Sequence, residues 1–489
     1  MAIIADEAER KLKPPAHFVH PSPWPDVVLL LICIALLVFQ LFVPPLIGLA
    51  NNGDFGKILG RLHLVTDTHK NLEFFVSKYQ HTTIGWNSGI PMSELVLARP
   101  AVFLASLFQK GQDFDIRYLA GVHCLMFLLA FYGFLHLLHG FGAATRLLLG
   151  GFVILVFTDV AYTAYFNSFF GDTAALLALL LLTVAGLSLS LSERLSWTWW
   201  AVFTGSSVLF VTSKPQHALE GLILALLALA LLRKAAKPEL PDSARKILAV
   251  LTMTTLVVAG AFEMRAAPSW YKSEATFNII FLDIPKTFPD HQQELKELNL
   301  PQNEEKYFGV NLFTLNRDLV LSIYRRVGYS PLIRFYTHHP GATLQILWGD
   351  IVASTFPLRP LPLANYRLED GYSAFTMTSH FCFWSDLRAG LFRVWPAHIL
   401  VWYGLVIAAA AGVMKKGRTT SQRSLALVCL SICLLGMVEF AVASLGDGGD
   451  TRRHLFLFHA LTDITVCIAA VAVTYFLRER SVTIRRVCS

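Results

Sequence analysis

The stretch Asn51-Asn52-Gly53-Asp54-Phe55-Gly56 puts a carboxylate in a polar turn directly after an apolar run from Val27 to Ala50, with Lys57 and Arg61 three and seven residues further on. A carboxylate at the mouth of a membrane span can take a proton from a hydroxyl at the bilayer surface. Asn51 and Asn52 already offer capping oxygens to the helix expected from Phe55, and Gly53 and Gly56 let a ligand approach the backbone closely. The structural alternative is that Asp54 caps that helix, with Lys57 and Arg61 as exposed ion-pair partners of small energetic weight.

Three other polar islands sit between apolar runs: Asn167 to Asp172, Thr212 to His217, and Gly446 to His454. Arg452, Arg453 and His454 suit a phosphate or pyrophosphate, because guanidinium gives bidentate, charge-assisted bonds to its oxygens. Retention of lipid headgroups is the competing use of these charges. Asp172 and Asp450 each precede a helix and are placed to cap it, and Lys214 is placed to snorkel from a helix end. If the islands converge, a lipid-phosphate donor would leave its phosphate against the cations while the carboxylate takes a proton from an attacking hydroxyl.

These residues need a membrane scaffold, and the composition supplies one. With 54% hydrophobic and 15% charged residues in 489, and a mean hydropathy of +0.52, the chain has more apolar surface than a water-soluble protein buries. The expected fold class is an all-α polytopic membrane protein. About ten spans are expected: Val27 to Ala50, Tyr118 to His139, Arg146 to Tyr165, Thr173 to Leu191, Trp197 to Thr212, Ala218 to Leu232, Ile247 to Met264, Phe392 to Met414, Leu425 to Leu445 and Leu455 to Leu477. The first is read as a retained span, since no small-residue cleavage site follows it.

Basic residues set the orientation. Arg10, Lys11 and Lys13, then Arg233, Lys234, Lys237, Arg245 and Lys246, then Lys415, Lys416, Arg418 and Arg423, and finally Arg478, Arg480, Arg485 and Arg486 fall on one side when an even number of spans separates them. Both termini are then cytoplasmic, and the expected layout is a cytoplasmic segment 1–26, a first span 27–50, a first external loop 51–117, spans within 118–264, a large external loop or cap at 265–391, spans within 392–477, and a cytoplasmic tail 478–489. Leu95 to Phe108 and Pro331 to Phe356 read as interfacial helices, and Asp283 to Arg317 as a water-exposed cap. The formal charge of +7 sits largely in the topogenic loops, so no nucleic-acid partner is expected. The seven cysteines show neither a disulfide framework nor zinc spacing. Asp159 and Glu439 are the notable charges within spans.

The acidic turn after the first span, with Asn52-Gly53-Asp54-Phe55-Gly56, Tyr165-Phe166-Asn167-Ser168-Phe169-Phe170-Gly171-Asp172, Phe335-Tyr336-Thr337-His338-His339-Pro340 and Phe383-Trp384-Ser385-Asp386-Leu387-Arg388, resembles the GT-C superfamily of integral-membrane glycosyltransferases. More narrowly, these motifs resemble a bacterial family of surface-glycan hexose transferases. The resemblance implies a polyprenyl-phosphate sugar donor, a glycan or lipid-linked acceptor, inverting transfer on the periplasmic face of the inner membrane, and Asp54 as general base. It marks Lys214, Arg452, Arg453 and His454 as ligands of the donor phosphate. Asn52, Lys57, Arg61, Asn167, Asp172, Gln216, His338, His339, Asp447 and Asp450 are further substrate-binding candidates, although His338 and His339 can equally anchor an interfacial turn. Many superfamily members carry a large soluble C-terminal domain with no counterpart in this sequence, so acceptor recognition is expected to rest on the external loops. No cofactor is implied, and a divalent metal is left open because no ligand spacing decides it. The alternatives are a polymerase or ligase using polyprenyl-pyrophosphate oligosaccharides, and a transporter or flippase, against which the absence of internal repeats and the scarcity of mid-span charge weigh.

Overall fold

The computed structural model describes residues 22–66, 71–83, 91–109, 111, 113–192, 194–234, 241–353, 358–359, 363–417 and 419–488, with the backbone alone for 234, 242 and 479–488. Arg10, Lys11, Lys13, Lys237 and Arg418, with the side chains of Lys234, Arg480, Arg485 and Arg486, lie outside the described residues.

Ten helices correspond to the ten expected apolar runs: α1 (Trp24–Leu41), α2 (Arg117–Leu137), α3 (Ala143–Phe157), α4 (Gly171–Leu191), α5 (Trp197–Val211), α6 (Glu220–Lys234), α7 (Asp242–Ala266), α8 (His398–Lys416), α9 (Thr420–Leu445) and α10 (Phe456–Cys488). Among the described residues, α1, α2, α4, α7, α8, α9 and α10 are long and apolar enough to cross a membrane, and α3 with Val160–Asn167 makes an eighth crossing if that bent pair is one span. Seven or eight of the ten expected runs thus meet that standard among the described residues; α5 has 15 residues, and α6 shows 15 up to Lys234, where the described residues break off.

The expected first span, Val27 to Ala50, divides in two. The helix stops at Leu41, and Pro44 and Pro45 cannot donate backbone hydrogen bonds to continue it. Residues 46–50 run on as non-helical, buried chain whose polar groups are satisfied elsewhere. The amides of Gly48 and Ala50 donate to the carbonyls of Asn365 and Ala364 at 3.1 and 2.8 Å. Asn167 Nδ2 donates to the carbonyls of Leu41 and Ile47 at 3.1 and 2.8 Å. A Cβ at Gly48 would stand 2.4 Å from the Phe75 ring, so this close passage needs glycine. The Asn51 turn is therefore delivered by a strapped segment.

The expected span Arg146 to Tyr165 is bent by 54° after Phe157. Asp159 caps the continuation by accepting from the Ala161 amide at 2.9 Å, and its other oxygen accepts from the Ser385 amide at 2.9 Å. Gln40 Nε2 takes the Thr158 carbonyl at 2.9 Å. The span expected from Phe392 begins instead at His398, after Pro396 has separated α8 from the helix Phe383–Val394.

At the centre of the bundle is α4, buried along nearly its whole length and packed against α2, α5, α9 and α10. A second, smaller apolar core lies between residues 277 and 335, built from Phe277, Ile280, Phe281, Leu295, Leu298, Ile323, Leu332 and Phe335. The run Pro331 to Phe356, expected as one interfacial helix, is two, Tyr329–His338 and Pro340–Ala353. Proline disfavours helical backbone in the residue before it, here His339. The first loop also holds a three-stranded antiparallel sheet, Leu64–Val65, Lys78–His81 and Asp113–Asp115, with Leu64 opposite His81 and Tyr79 opposite Phe114. Strands of two to four residues leave too little periodicity to read from sequence.

Candidate functional site

The Asn51 turn caps itself. Asn51 Oδ1 accepts from the amides of Gly53 (2.8 Å) and Phe55 (3.1 Å), and Asn52 Oδ1 accepts from that of Asp54 (3.2 Å). Gly53, at φ +106°, supplies a backbone conformation that side-chain-bearing residues rarely adopt. Phe55 is buried edge-on against Phe170 and Phe169, with centroids 4.8 and 5.8 Å away, which fixes the turn. The Asp54 carboxylate is thereby freed from capping. Its Oδ1 lies 2.6 Å from Lys57 Nζ, one helical turn on, and its Oδ2 lies 2.9 Å from Arg453 Nη2.

Arg453 draws the other islands in. Its Nε lies 2.7 Å from Asp450 Oδ2, its Nη1 lies 3.7 Å from Asp172 Oδ2, and its guanidinium rests 5.3 Å above the Phe170 ring. Asn52 Nδ2 donates to the same Asp450 oxygen at 3.2 Å, closing a loop of contacts between the first turn and the last. Lys214 Nζ lies 2.6 Å from both oxygens of Asp172. His454 Nε2 faces Asp447 Oδ2 at 3.5 Å, and Asp447 Oδ1 accepts from Asn278 Nδ2 at 2.8 Å and from the Gly449 amide at 3.0 Å.

These contacts overturn three structural expectations. The N-cap of α4 is Phe170 and not Asp172; Asp172 spends both oxygens on Lys214, while Glu94 of the helix Glu94–Phe108 reaches across to accept from the Ala174 amide at 3.2 Å. Asp450 holds the N-cap position of the short helix Thr451–His454 but makes no capping bond. Lys214 does not snorkel, being 6% exposed and ion-paired.

Burial works against ionisation of Asp54, but the charges of Arg453, Lys57 and Lys214 outweigh it and hold the carboxyl well below the usual carboxylate range. Asp447 is likewise brought down to about 2, with burial opposing and the His454 and Asn278 bonds prevailing. Burial lowers Lys214, an effect that Asp172 opposes and Arg453 reinforces. Beside the network lies a narrow cleft with about 20 Å³ of free volume, lined by Asp54, Lys57, Lys214, His454, Phe170 and Tyr271 among others. Lys57 sits 4.9 Å from the Tyr271 ring centroid. The site thus offers an ionised carboxylate, three cationic groups and an aromatic wall.

Other sequence-predicted residues lie elsewhere. Arg452 is exposed and lines a separate cleft of about 490 Å³ with Arg359, Arg393, Ser385 and Asp386. Asn167 is buried as the strap on residues 41–47. Gln216 Nε2 donates to Glu439 Oε2 at 3.4 Å. His338 is exposed, while His339 pairs with Glu297 at 2.7 Å and packs on Phe288 and Phe335 of the smaller core. Arg61 is exposed. Sequence reasoning missed Tyr271 and Asn278, which belong to the segment after α7, and the buried pair Glu94–His123 at 3.0 Å. It also missed the Arg388–Asp463 pair at 2.7 Å, whose aspartate accepts from Tyr162 and Trp384. A single acid within an apolar run was the available signal for Glu94 and Asp463.

Apolar helices of spanning length, carrying a polar cluster where several of them end, define a multi-pass membrane protein. The YfdI N-terminal transmembrane domain family matches residues 18–485, and the chain belongs to that family. No curated protein matches it significantly in sequence. Among solved structures, the apo oligosaccharyltransferase of Archaeoglobus fulgidus is similar at 11% identity and a TM-score of 0.40, over 96% of this chain and 52% of that one. AglB from the same organism, in complex with an inhibitory peptide and a dolichol-phosphate, gives 12% identity and a TM-score of 0.39, over 95% and 52%. The form tethered to an acceptor peptide gives 10% and 0.41, over 93% and 50%. The chain spans about half the length of these structures.

Proposed function

We propose that this protein is a GT-C-type membrane glycosyltransferase that moves a hexose from a polyprenyl-phosphate donor to a hydroxyl of a glycan or lipid-linked acceptor, with Asp54 as general base. The observation that carries the reading is the Asp54 carboxylate, ionised and shared between Lys57 and Arg453 at the edge of a cleft that also presents Lys214 and His454. The acceptor oxygen bonds to the anomeric carbon as the bond from that carbon to the phosphate oxygen breaks. The hydroxyl proton passes to Asp54, and the polyprenyl phosphate leaves with its charge against Arg453, Lys214 and Lys57. A single displacement of this kind inverts the anomeric carbon.

The distribution of charge supports a site on the non-cytoplasmic face. Lys415 and Lys416 end α8, and α9 then runs 26 residues, about 39 Å, to the Gly446-Asp447 loop. The basic cluster and the site therefore lie at opposite ends of a spanning helix, as the positive-inside rule requires of an outward-facing site.

The test is sugar release and transfer by the purified protein in liposomes, offered a panel of polyprenyl-phosphate hexoses beside polyprenyl-pyrophosphate oligosaccharides. Turnover or saturable binding of a monophosphate hexose is expected. Use of the pyrophosphate donors alone would replace this reading with a polymerase or ligase, and neither binding nor turnover of any donor would overturn it.

A further inference from the structure

Outside the Asp54 cluster, one histidine and three glutamates are buried. His217 follows Lys214 on the link between α5 and α6, Glu220 opens α6, and Glu439 projects from α9; all three are at most 1% exposed. One potential ligand atom from each lies within 4.8 Å of the others. His217 Nδ1 faces Glu439 Oε1 directly and Glu220 Oε2 at 3.5 Å. Gln216 Nε2 donates to Glu439 Oε2 at 3.4 Å, while among the described residues His217 Nε2 and Glu220 Oε1 have neither a hydrogen-bond partner nor an ion pair. Glu263 of α7 is the fourth residue, also fully buried, with both oxygens unpartnered.

The surroundings hold this cluster shut. The His217 ring stacks on Phe210, centroids 5.1 Å apart, which fixes the plane of its nitrogens. Gly221 and Gly260 let α6 and α7 approach until a Cβ would stand 2.9 Å from the Leu256 carbonyl oxygen or 2.4 Å from that of Ala218. Buried polar groups are normally paired, and buried charges are compensated or coordinate a metal. Even a protonated His217 leaves excess acid in the cluster when Glu220 and Glu439 are ionised. A divalent cation between His217 Nδ1 and the two carboxylates that face it is charge-neutral with a neutral imidazole and takes one ligand atom from each residue.

We propose that His217, Glu220 and Glu439 form a binding site for a divalent transition-metal ion, zinc being the best match to one imidazole and two carboxylates, with a water completing the coordination. The site is distinct from the Asp54 cleft and does not depend on the glycosyltransferase reading. Its placement gives it a structural task. It ties the link that carries Lys214 to α9, two turns before Asp447, and so clamps together two of the loops from which the candidate site is built.

The experiment is metal analysis of the full-length protein, purified in detergent without chelators and with any affinity tag removed, followed by chelation and reloading with zinc, manganese or cobalt. About one zinc per chain is expected, with a melting temperature that falls on chelation and recovers on zinc addition. Glu439→Gln and His217→Ala should weaken zinc binding by about 10-fold or more. Glu439→Gln keeps the side-chain size, so it carries the comparison if His217→Ala does not fold. A wild-type protein that binds none of the three metals and melts identically with and without them would overturn the site, as would a folded Glu439→Gln that binds zinc like the wild type.

Discussion

Replacing Asp54 by Asn separates catalysis from stability, because the two effects have different sizes. Asp54, Asp172 and Asp450 face Lys57, Lys214 and Arg453, so the network balances charge, and Asn leaves it with one excess positive charge. The amide keeps an acceptor for Lys57 but turns its NH2 toward Arg453 Nη2, so the Arg453 bond is lost. Hydrogen bonds to charged groups contribute about 1.5–3 kcal/mol, and the Asp54 side chain is 21% exposed, so solvent screening brings the net cost to about 1–2 kcal/mol. Loss of a general base costs about 10²–10⁴-fold in rate, roughly 3–5 kcal/mol of barrier. Asp54→Asn should therefore elute and melt nearly as the wild type while its initial transfer rate in proteoliposomes, at saturating donor, falls by at least about 100-fold. The pH behaviour is a second check. Because the folded carboxyl is held below its ordinary value, its contribution is present above the unfolded pKa of about 3.9 and fades only as pH drops through the lower folded value. The stability gap between wild type and variant should thus stay flat from about pH 8 to pH 5. A well-folded Asp54→Asn protein with transfer within about tenfold of wild type would refute the assignment of the base.

Lys214→Met strands the Asp172 carboxylate, 2% exposed, with Arg453 at 3.7 Å, and should destabilise by about 3–5 kcal/mol. The Lys214→Met, Asp172→Asn double variant should cost less than the two single changes summed; additivity within about 0.5 kcal/mol in denaturant melts would contradict the pairing. Asn167→Ala removes two buried bonds to the Leu41 and Ile47 carbonyls and should cost about 2 kcal/mol, with new protease cleavage between residues 42 and 50; an unchanged digest would dismiss the strap. Glu294 is buried without a hydrogen-bond partner among the described residues, and burial pushes its carboxyl up to about 9. The folded state keeps that proton while the unfolded chain releases it above about pH 4.3, so stability is full below that value and is lost as pH rises toward 9. Glu294→Gln should be more stable than the wild type by about 1 kcal/mol or more at pH 8, with the gap shrinking toward pH 5; a gap independent of pH would show that Glu294 is solvated.

The candidate site was legible where composition changes abruptly. Each of its polar loops is a few residues between long apolar runs, and such loops must gather at helix ends because the runs themselves cross together. Distinctions within a loop were not legible. Arg452 and Arg453 read alike in sequence, yet neighbouring residues on a helical turn point about 100° apart, so one enters the Asp54 network and the other a separate cleft. The stop at Pro44-Pro45 was written in the sequence and outweighed by the hydropathy of Leu46 to Ala50, which is buried but not helical. Glu94, Glu220, Glu263 and Asp463 each look like one tolerated charge in an apolar segment. Their significance lies in partners contributed by distant helices, and no local pattern reports that.

On the proposed reading, the pairing of every cation with a carboxylate explains how a base so easily ionised can serve. In the resting site Arg453 and Lys57 hold the Asp54 charge, which depresses its affinity for a proton and makes it a poor base toward stray water. A phosphate entering the cleft competes for those same donors, with charge and bidentate geometry in its favour. As Arg453 and Lys214 turn toward the phosphate, Asp54 loses the field that suppressed it while burial remains, and its proton affinity rises where the acceptor hydroxyl must be deprotonated. Donor binding and base strength are then one event. The carboxylates of Asp172 and Asp450 are what keep the cations in place, and the site near neutral, until the donor arrives.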